Sequence, residues 1–187
     1  MTPRLVPIQL KDKEVLRNLM TMYFHDMSEF TGDDVNPHGQ YDYRYLDHYW
    51  TEEGRHPFFI KVNGQFAGFA LVREIGQADQ RIYSMAEFFV MRKYRGQGIA
   101  KQSVFELFTR FRGQWHVAQD EENIPAQGFW RHVIGCYTRG KVREVRDAAS
   151  NGPIQRFSTE DVEQGLLPTR SAAEAGVGAG LSSILPA

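Results

Sequence analysis

The chain has a single cysteine, Cys136, among 187 residues. One thiol excludes an intramolecular disulfide and a cysteine-based zinc cluster. Lying four residues after His132, it is expected to be a buried structural thiol rather than a nucleophile. No apolar stretch approaches the roughly 18 residues that would suggest a membrane span, and Met1 does not open a secretory signal pattern. A cytoplasmic protein with no membrane partner is therefore expected. Net charge is also scarce: 22 Lys and Arg against 23 Asp and Glu leave −1, which speaks against nucleic acid as a partner. The six histidines show no metal-ligand spacing, so no metal is expected. There is no internal repeat. Hydrophobic content of 42% and aromatic content of 13% are globular values, and the length suits one domain with a real core. That domain is expected over residues 1–160. Residues 161–187, dominated towards the end by Ala, Gly and Ser, read as a C-terminal tail, flexible or docked.

The richest segment is residues 86–100. Residues 86–90 are strand-like, and a short basic loop with Gly96 and Gly98 then feeds an amphipathic helix. Val104, Leu107, Phe108 and Phe111 follow the i, i+3, i+4, i+7 spacing of one buried face. Arg110, Arg112 and Gly113 supply the end signals. The glycines thus stand at a helix N-terminus, where unpaired N–H groups and the positive end of the dipole face outward. Without a Cβ they admit close approach of a ligand and positive φ, and Arg95 adds charge. Such a turn binds anions, phosphate above all. A dinucleotide fingerprint would need glycine where Lys101 stands, and a P-loop would need Lys rather than Ile99 after Gly98. What remains is Arg95-x-x-Gly98-x-Ala100.

A second block follows one helix and one strand later. Residues 115–119 read as that strand, and Asn123, Ala126, Phe129 and Trp130 begin a further helix with Pro125 in its first turn. The two blocks in this order are similar to the signatures of the GNAT acetyltransferase superfamily, Arg or Gln-x-x-Gly-x-Gly or Ala and then Asn-x-x-Ala-x-x-apolar-Tyr. The resemblance covers about residues 3–158. It implies an α/β (α+β) fold: a mixed six- to seven-stranded sheet flanked by about four helices, with two parallel strands splayed at the cofactor site. Acetyl-CoA is the implied cofactor and CoA the product. Arg95, Gly96, Gln97, Gly98, Ile99 and Ala100 would cradle the pyrophosphate, with Lys101 near a phosphate. The backbone of Phe89, Val90 and Met91 would follow the pantetheine arm and thioester carbonyl. Asn123, Phe129 and Trp130 would line that arm from the second block.

Glu87 is the candidate general base, a lone carboxylate in the otherwise apolar stretch 85–91, where burial would raise its pKa. The departure from the family pattern is Trp130, which stands where many relatives carry an acidic Tyr. An indole cannot deliver a proton to a thiolate. Tyr137, two helical turns on, is the candidate substitute; otherwise water protonates the thiolate.

Charge is unevenly spread. Residues 92–112 carry six basic groups (Arg92, Lys93, Arg95, Lys101, Arg110, Arg112) against Glu106 alone. Over residues 25–50, Asp26, Glu29, Asp33, Asp34, Asp42 and Asp47 face only Arg44. That division suits an enzyme joining a polyanionic cofactor to a cationic amine. Asp26, Asp33, Asp34, His38, Tyr41 and Tyr43 are the candidate acceptor contacts, offering carboxylates and ring faces to an ammonium group. The expected reaction is acetyl transfer to a primary amine of a small molecule by direct attack in a ternary complex. A protein or peptide acceptor and a non-catalytic acyl-CoA-binding module are the alternatives. The expected state is monomer or homodimer.

The remaining pattern predicts a strand over residues 4–10, then a helix capped by Asp12 with the stripe Leu16, Met20, Tyr23, Met27 and Phe30. A short tyrosine-rich helix is expected over 41–50. Strands over 57–62 and 65–74 enclose the hairpin signal Asn63-Gly64. A strand over 81–90 follows a turn at 76–80, and two terminal strands are expected over 138–146 and 153–157.

Overall fold

The computed structural model describes residues 1–76, 81–146, 151–160 and 162. In chain order the elements are β1 (Pro3–Pro7), α1 (Lys13–Thr31), the single turn α2 (His48–Thr51), β2 (Arg55–Val62), β3 (Gln65–Ile75) and β4 (Ile82–Val90). α3 (Ile99–Arg110), β5 (Gln114–Ala118), α4 (Ile124–Thr138), β6 (Arg143–Val145) and β7 (Ile154–Ser158) complete them. The strands form one seven-stranded sheet in the order β1-β2-β3-β4-β5-β7-β6, in which β4–β5 is the parallel pair. A mixed sheet flanked by four helices agrees with the expected fold.

Local chemistry accounts for most of these elements. Asn63 and Gly64 both take positive φ, 50° and 79°, the turn geometry that matches strand twist. α3 buries Val104, Leu107 and Phe108 of the expected stripe, together with Ile99, while Phe111 is the half-buried C-cap. Asn123 caps α4 by accepting a hydrogen bond from the Ala126 N–H at 3.0 Å.

Three boundaries differ from expectation. The first strand stops at Pro7, because Leu10–Asp12 closes a 3₁₀ turn; Asp12 then occupies the N-cap of α1 but makes no capping hydrogen bond with its side chain. The tyrosine-rich run does not form a helix over 41–50: only His48–Thr51 is helical, and its large aromatic side chains point to several partners instead of sharing one face. Residues 138–142 are not strand, since Thr138 is the buried last residue of α4; Arg139 and Gly140 reverse the chain with φ of 54° and 82°. The expected turn residues 77–80, residues 147–150 between the two expected terminal strands, and the tail apart from Val162 lie outside the described residues.

Two apolar layers cover the sheet. On one face α3 and α4 enclose a cluster with Tyr83, Met85, Val90, Trp115 and Phe157. On the other, Leu16, Leu19 and Met20 of α1 pack with Tyr49, Phe59, Phe69, Leu71 and Phe89. β4 feeds both layers, and its phase changes midway. Leu71 pairs with Glu87 while the next residue, Val72, pairs with Met85. Ala86 is therefore an extra residue, a β-bulge. Before it, Tyr83 and Met85 face α3 and α4. After it, Phe88 and Val90 do so, and Glu87 and Phe89 are turned towards α1. Strict alternation from Met85 would send Glu87 to the opposite layer.

The bulge also marks the point where β4 leaves β5. The parallel pairing covers Ile82, Tyr83 and Ser84 against Gln114, Trp115 and His116, and stops there. Beyond it β4 stays on β3, held so closely that a Cβ at Gly68 would lie 1.9 Å from the Phe89 carbonyl oxygen. The result is a wedge-shaped gap through the sheet.

Candidate active site

The gap forms a cleft of about 130 Å³. Met85, Ala86, Glu87 and Phe88 of β4 form one wall, and Val117, Ala118 and Gln119 the other. Tyr23 and Met27 of α1 close it on one side of the sheet, Asn123, Ala126 and Trp130 of α4 on the other. Sequence reasoning named Glu87, Asn123 and Trp130 here but missed Tyr23, Met27 and Gln119.

Glu87 is the electrostatic centre of this cleft. The Tyr23 hydroxyl donates to its Oε2 at 2.7 Å. Desolvation raises the carboxyl from its ordinary value to about 7, against the opposing pull of hydrogen bonds from Tyr23 and Tyr43 and of the Arg73 charge. The same burial, with the carboxylate charge, pushes the phenols of Tyr23 and Tyr43 well above their usual range. Burial is also the leading cause of the rise at Tyr49. Tyr43, an expected acceptor contact, thus turns inward to Glu87. Its ring packs 5.7 Å from Phe24. The sequence signal for Tyr23 lay in the α1 stripe, where one hydroxyl interrupts an otherwise apolar row.

The backbone of β4 has a fixed sidedness. The Met91 N–H donates to the Ala67 carbonyl at 2.8 Å, so Met91 faces β3. Alternation along an antiparallel ladder turns Phe89 and Glu87 the same way, and Phe88 and Val90 towards the gap. Of the expected trio Phe89, Val90 and Met91, only Val90 therefore turns its main chain away from β3, towards the gap. Its carbonyl already accepts from Arg95 Nε at 2.8 Å.

The glycine turn is formed as expected. Gly96 and Gly98 have φ of 72° and 76°, and Gly98 is the left-handed N-cap of α3. Ile99 is fully buried and anchors the turn, with Ala100 packed beside it. The main-chain donors of the first helical turn have no partners within the helix. The Gln97 side chain donates to the Lys93 carbonyl at 2.7 Å. The Lys101 ammonium lies over the Phe105 ring, 5.5 Å from its centre. A groove of about 930 Å³ starts from Gly98 and Lys101 and follows α3 to Arg110.

Asp26 is placed differently from the acceptor role expected of it. It bridges two residues of the basic loop, receiving Arg92 Nη2 at 2.7 Å on Oδ1 and Arg95 Nη2 at 2.6 Å on Oδ2. Partial burial opposes ionisation, but these two guanidinium groups hold Asp26 below the usual carboxylate range. Tyr23, Asp26 and Met27 share one face of α1 at i, i+3 and i+4. They reach Glu87, the basic loop and the Asn123 side chain, respectively.

From α4, Phe129 stacks against Phe88 at 6.0 Å, and Trp130 meets the same ring edge-on at 5.5 Å. Tyr137 is not brought to this cleft. It packs edge-on against Phe105 and Phe108 of α3, with its hydroxyl 3.2 Å from Thr109. Cys136 is exposed, contrary to expectation. Trp130, Val133, Ile134 and Tyr137 form the buried stripe of α4, and position 136 falls outside that i, i+3, i+4, i+7 series.

The other expected acceptor residues divide. Asp33, Asp34 and Tyr41 line a pocket of about 280 Å³ with Phe24, Asn36 and Asp42. His38 is exposed and donates its N–H to Asn36 Oδ1 at 2.9 Å. Phe24 links this pocket to the cleft, with its ring 5.1 Å from that of Tyr23. Among the described residues no group of three or more His, Cys, Asp or Glu could hold a metal ion, and no helix is long and apolar enough to cross a membrane.

A mixed sheet parted at its parallel pair, with a glycine turn and helix N-terminus beside the gap, is the architecture of a CoA-dependent acetyltransferase. The chain belongs to the Acetyltransferase (GNAT) family, which it matches over residues 18–135, and is an N-acetyltransferase. No curated protein matches it. Among solved structures it is similar to an acetyltransferase from Thermus thermophilus, at 16% identity and a TM-score of 0.63 over 84% of this chain and 96% of that one. An acetyltransferase of the GNAT family from Staphylococcus aureus gives 13% and 0.56 over 84% and 99%. The aminoglycoside acetyltransferase AAC(6')-Ib in complex with coenzyme A gives 14% and 0.55 over 83% and 94%. At these identities the likeness is one of fold.

Proposed function

We propose that the enzyme moves the acetyl group of acetyl-CoA to a primary amine of a small molecule, by direct attack in a ternary complex with Glu87 as general base. The observation that carries this reading is the Glu87 carboxyl, raised to about 7 beside the cleft where β4 and β5 part. A base must be ionised at working pH yet able to accept a proton, and a pKa near neutrality meets both needs.

The donor residues fit acetyl-CoA by their chemistry. Gly98 opens a helix whose first-turn N–H groups suit a pyrophosphate, and Arg92 and Arg95 add charge. The main chain of Phe88 and Val90 has no β5 partner, and the buried Oε1 of Gln119 lacks a hydrogen-bond partner in the cleft wall. An amide-bearing arm would satisfy both. When bound, the cofactor supplies an acetyl thioester. A main-chain N–H facing the gap would stabilise charge on the thioester oxygen, and Phe88, Phe129 and Trp130 would exclude water.

For the acceptor, the pocket of Asp33, Asp34 and Asp42 with the rings of Phe24 and Tyr41 supports a ligand carrying at least one further ammonium group. Carboxylates and ring faces both attract such groups. The aminoglycoside acetyltransferase in the comparisons acts on that kind of molecule.

The test is acetyl-CoA consumption over panels of diamines, polyamines, aminoglycosides, amino acids and peptides. Polycationic small molecules should be turned over best, and kcat/KM should rise with pH through about 7. Turnover confined to peptides would reject the small-molecule acceptor.

A further inference from the structure

We propose that Tyr23 of α1 is the acid that protonates the departing thiolate, and that Glu87 reloads it. The inference rests on the reading of Glu87 as base.

The proton donor is the part of the reaction that α4 does not supply. Trp130 lines the cleft where a hydroxyl would serve, and Tyr137 is committed to Thr109 and the rings of α3. Tyr23 enters the same cleft from the opposite side of the sheet. Its hydroxyl is 2.7 Å from Glu87 Oε2, and its ring is fixed by Phe24, Phe69 and Phe89 at 5.1, 5.7 and 5.9 Å.

A phenol has one proton to give and lone pairs to accept with. While Glu87 is ionised, that proton is directed at the carboxylate. Once Glu87 has taken a proton from the attacking amine, the hydrogen bond reverses: the carboxyl donates to the phenol oxygen, and the phenolic O–H is released towards the cleft.

The step balances without another reactant. The neutral amine forms the new C–N bond, and the C–S bond breaks with its electron pair left on sulfur. One N–H proton passes to Glu87, the Tyr23 proton passes to sulfur, and the Glu87 proton replaces it on Tyr23. Amide and free thiol leave, and the carboxylate and phenol are restored. The groups facing Glu87 are consistent with this cycle: Tyr23 from α1, Tyr43 from the following segment, Tyr49 of α2 and Arg73 of β3. None of them is a competing carboxylate, and Asp26, one turn along α1, is held by Arg92 and Arg95.

The test is Tyr23→Phe, which keeps the ring packing, alongside fluorotyrosine at position 23, which keeps the hydroxyl and makes it more acidic. Tyr23→Phe should lower kcat about 100-fold with acetyl-CoA. It should lower kcat only a few-fold with an acetyl thioester of an aryl thiol, which departs without needing a proton. Fluorotyrosine should restore turnover with acetyl-CoA. An equal loss with both thiols, with no recovery in the fluorotyrosine enzyme, would make Tyr23 a positioning residue for Glu87 and overturn the proposal. Failure of the underlying reading shows separately, as full turnover in Glu87→Gln.

Discussion

The two sides of the cleft are built from different materials. The proposed donor side is mostly main chain: the left-handed Gly96 and Gly98, the first turn of α3, and the edge of β4 freed from β5. The proposed acceptor side is mostly side chain: Tyr23, Tyr43 and Tyr49 around Glu87, and Asp33, Asp34 and Asp42 around two rings. A main-chain site needs particular residues at short, fixed spacing, because only glycine takes these backbone angles without strain. A side-chain site needs only that distant groups converge. Tyr23 and Glu87 are 64 residues apart.

Three substitutions would break or sharpen this contrast. Glu87→Gln acts on the side-chain half and should lower kcat by about 10²–10⁴, while calorimetry finds CoA affinity unchanged. It carries a second, opposite effect on stability. The carboxyl of Glu87 is raised above its ordinary value, to about 7, so its contribution to stability is present at low pH and is lost as pH rises through about 7. The glutamine variant escapes that loss. Its Tm should exceed that of the wild type by several degrees at pH 8 and match it at pH 4. An unaltered difference across that range would contradict burial as the cause of the shift.

Gly98→Asp acts on the main-chain half. An Asp in the left-handed conformation costs about 1 kcal/mol, and its charge opposes the phosphates. CoA affinity should fall about 30-fold or more, with the apo protein folded by circular dichroism. Normal CoA binding would remove the glycine turn from the site.

Asp26→Asn tests where the halves meet. The carboxylate of Asp26 competes with a phosphate for Arg92 and Arg95, so its loss should tighten CoA binding about two- to five-fold at low salt. The gain should vanish near 1 M salt, where the Debye length is about 3 Å. Weaker binding would mean that Asp26 chiefly holds Arg95 in place.

What was legible in the sequence follows the same division. Asn63-Gly64, Gly96 and Gly98 could be read because each turn depends on a backbone angle tied to a residue type. The stripes of α3 and α4 could be read because a helix repeats its buried face at short range. Glu87 stood out as a lone charge, but the layer it faces did not, since nothing in residues 82–90 announces the extra residue at Ala86. The ion pairs of Asp26 were not legible because partners on Arg92 and Arg95, more than sixty residues away, leave no local pattern. Cys136 was misjudged for a different reason. The α4 stripe was present, and it places Tyr137 within the buried series and Cys136 outside it.

The bulge at Ala86 makes the chemistry of β4 depend on a count rather than on an identity. Another small residue there leaves Glu87 under Tyr23, whereas deleting one residue between Ser84 and Glu87 turns the carboxylate into the wrong layer with every nearby side chain unchanged. A related chain without the extra residue would carry a carboxylate in the same place one column away, so an ungapped alignment of this strand would pair Glu87 with a core residue.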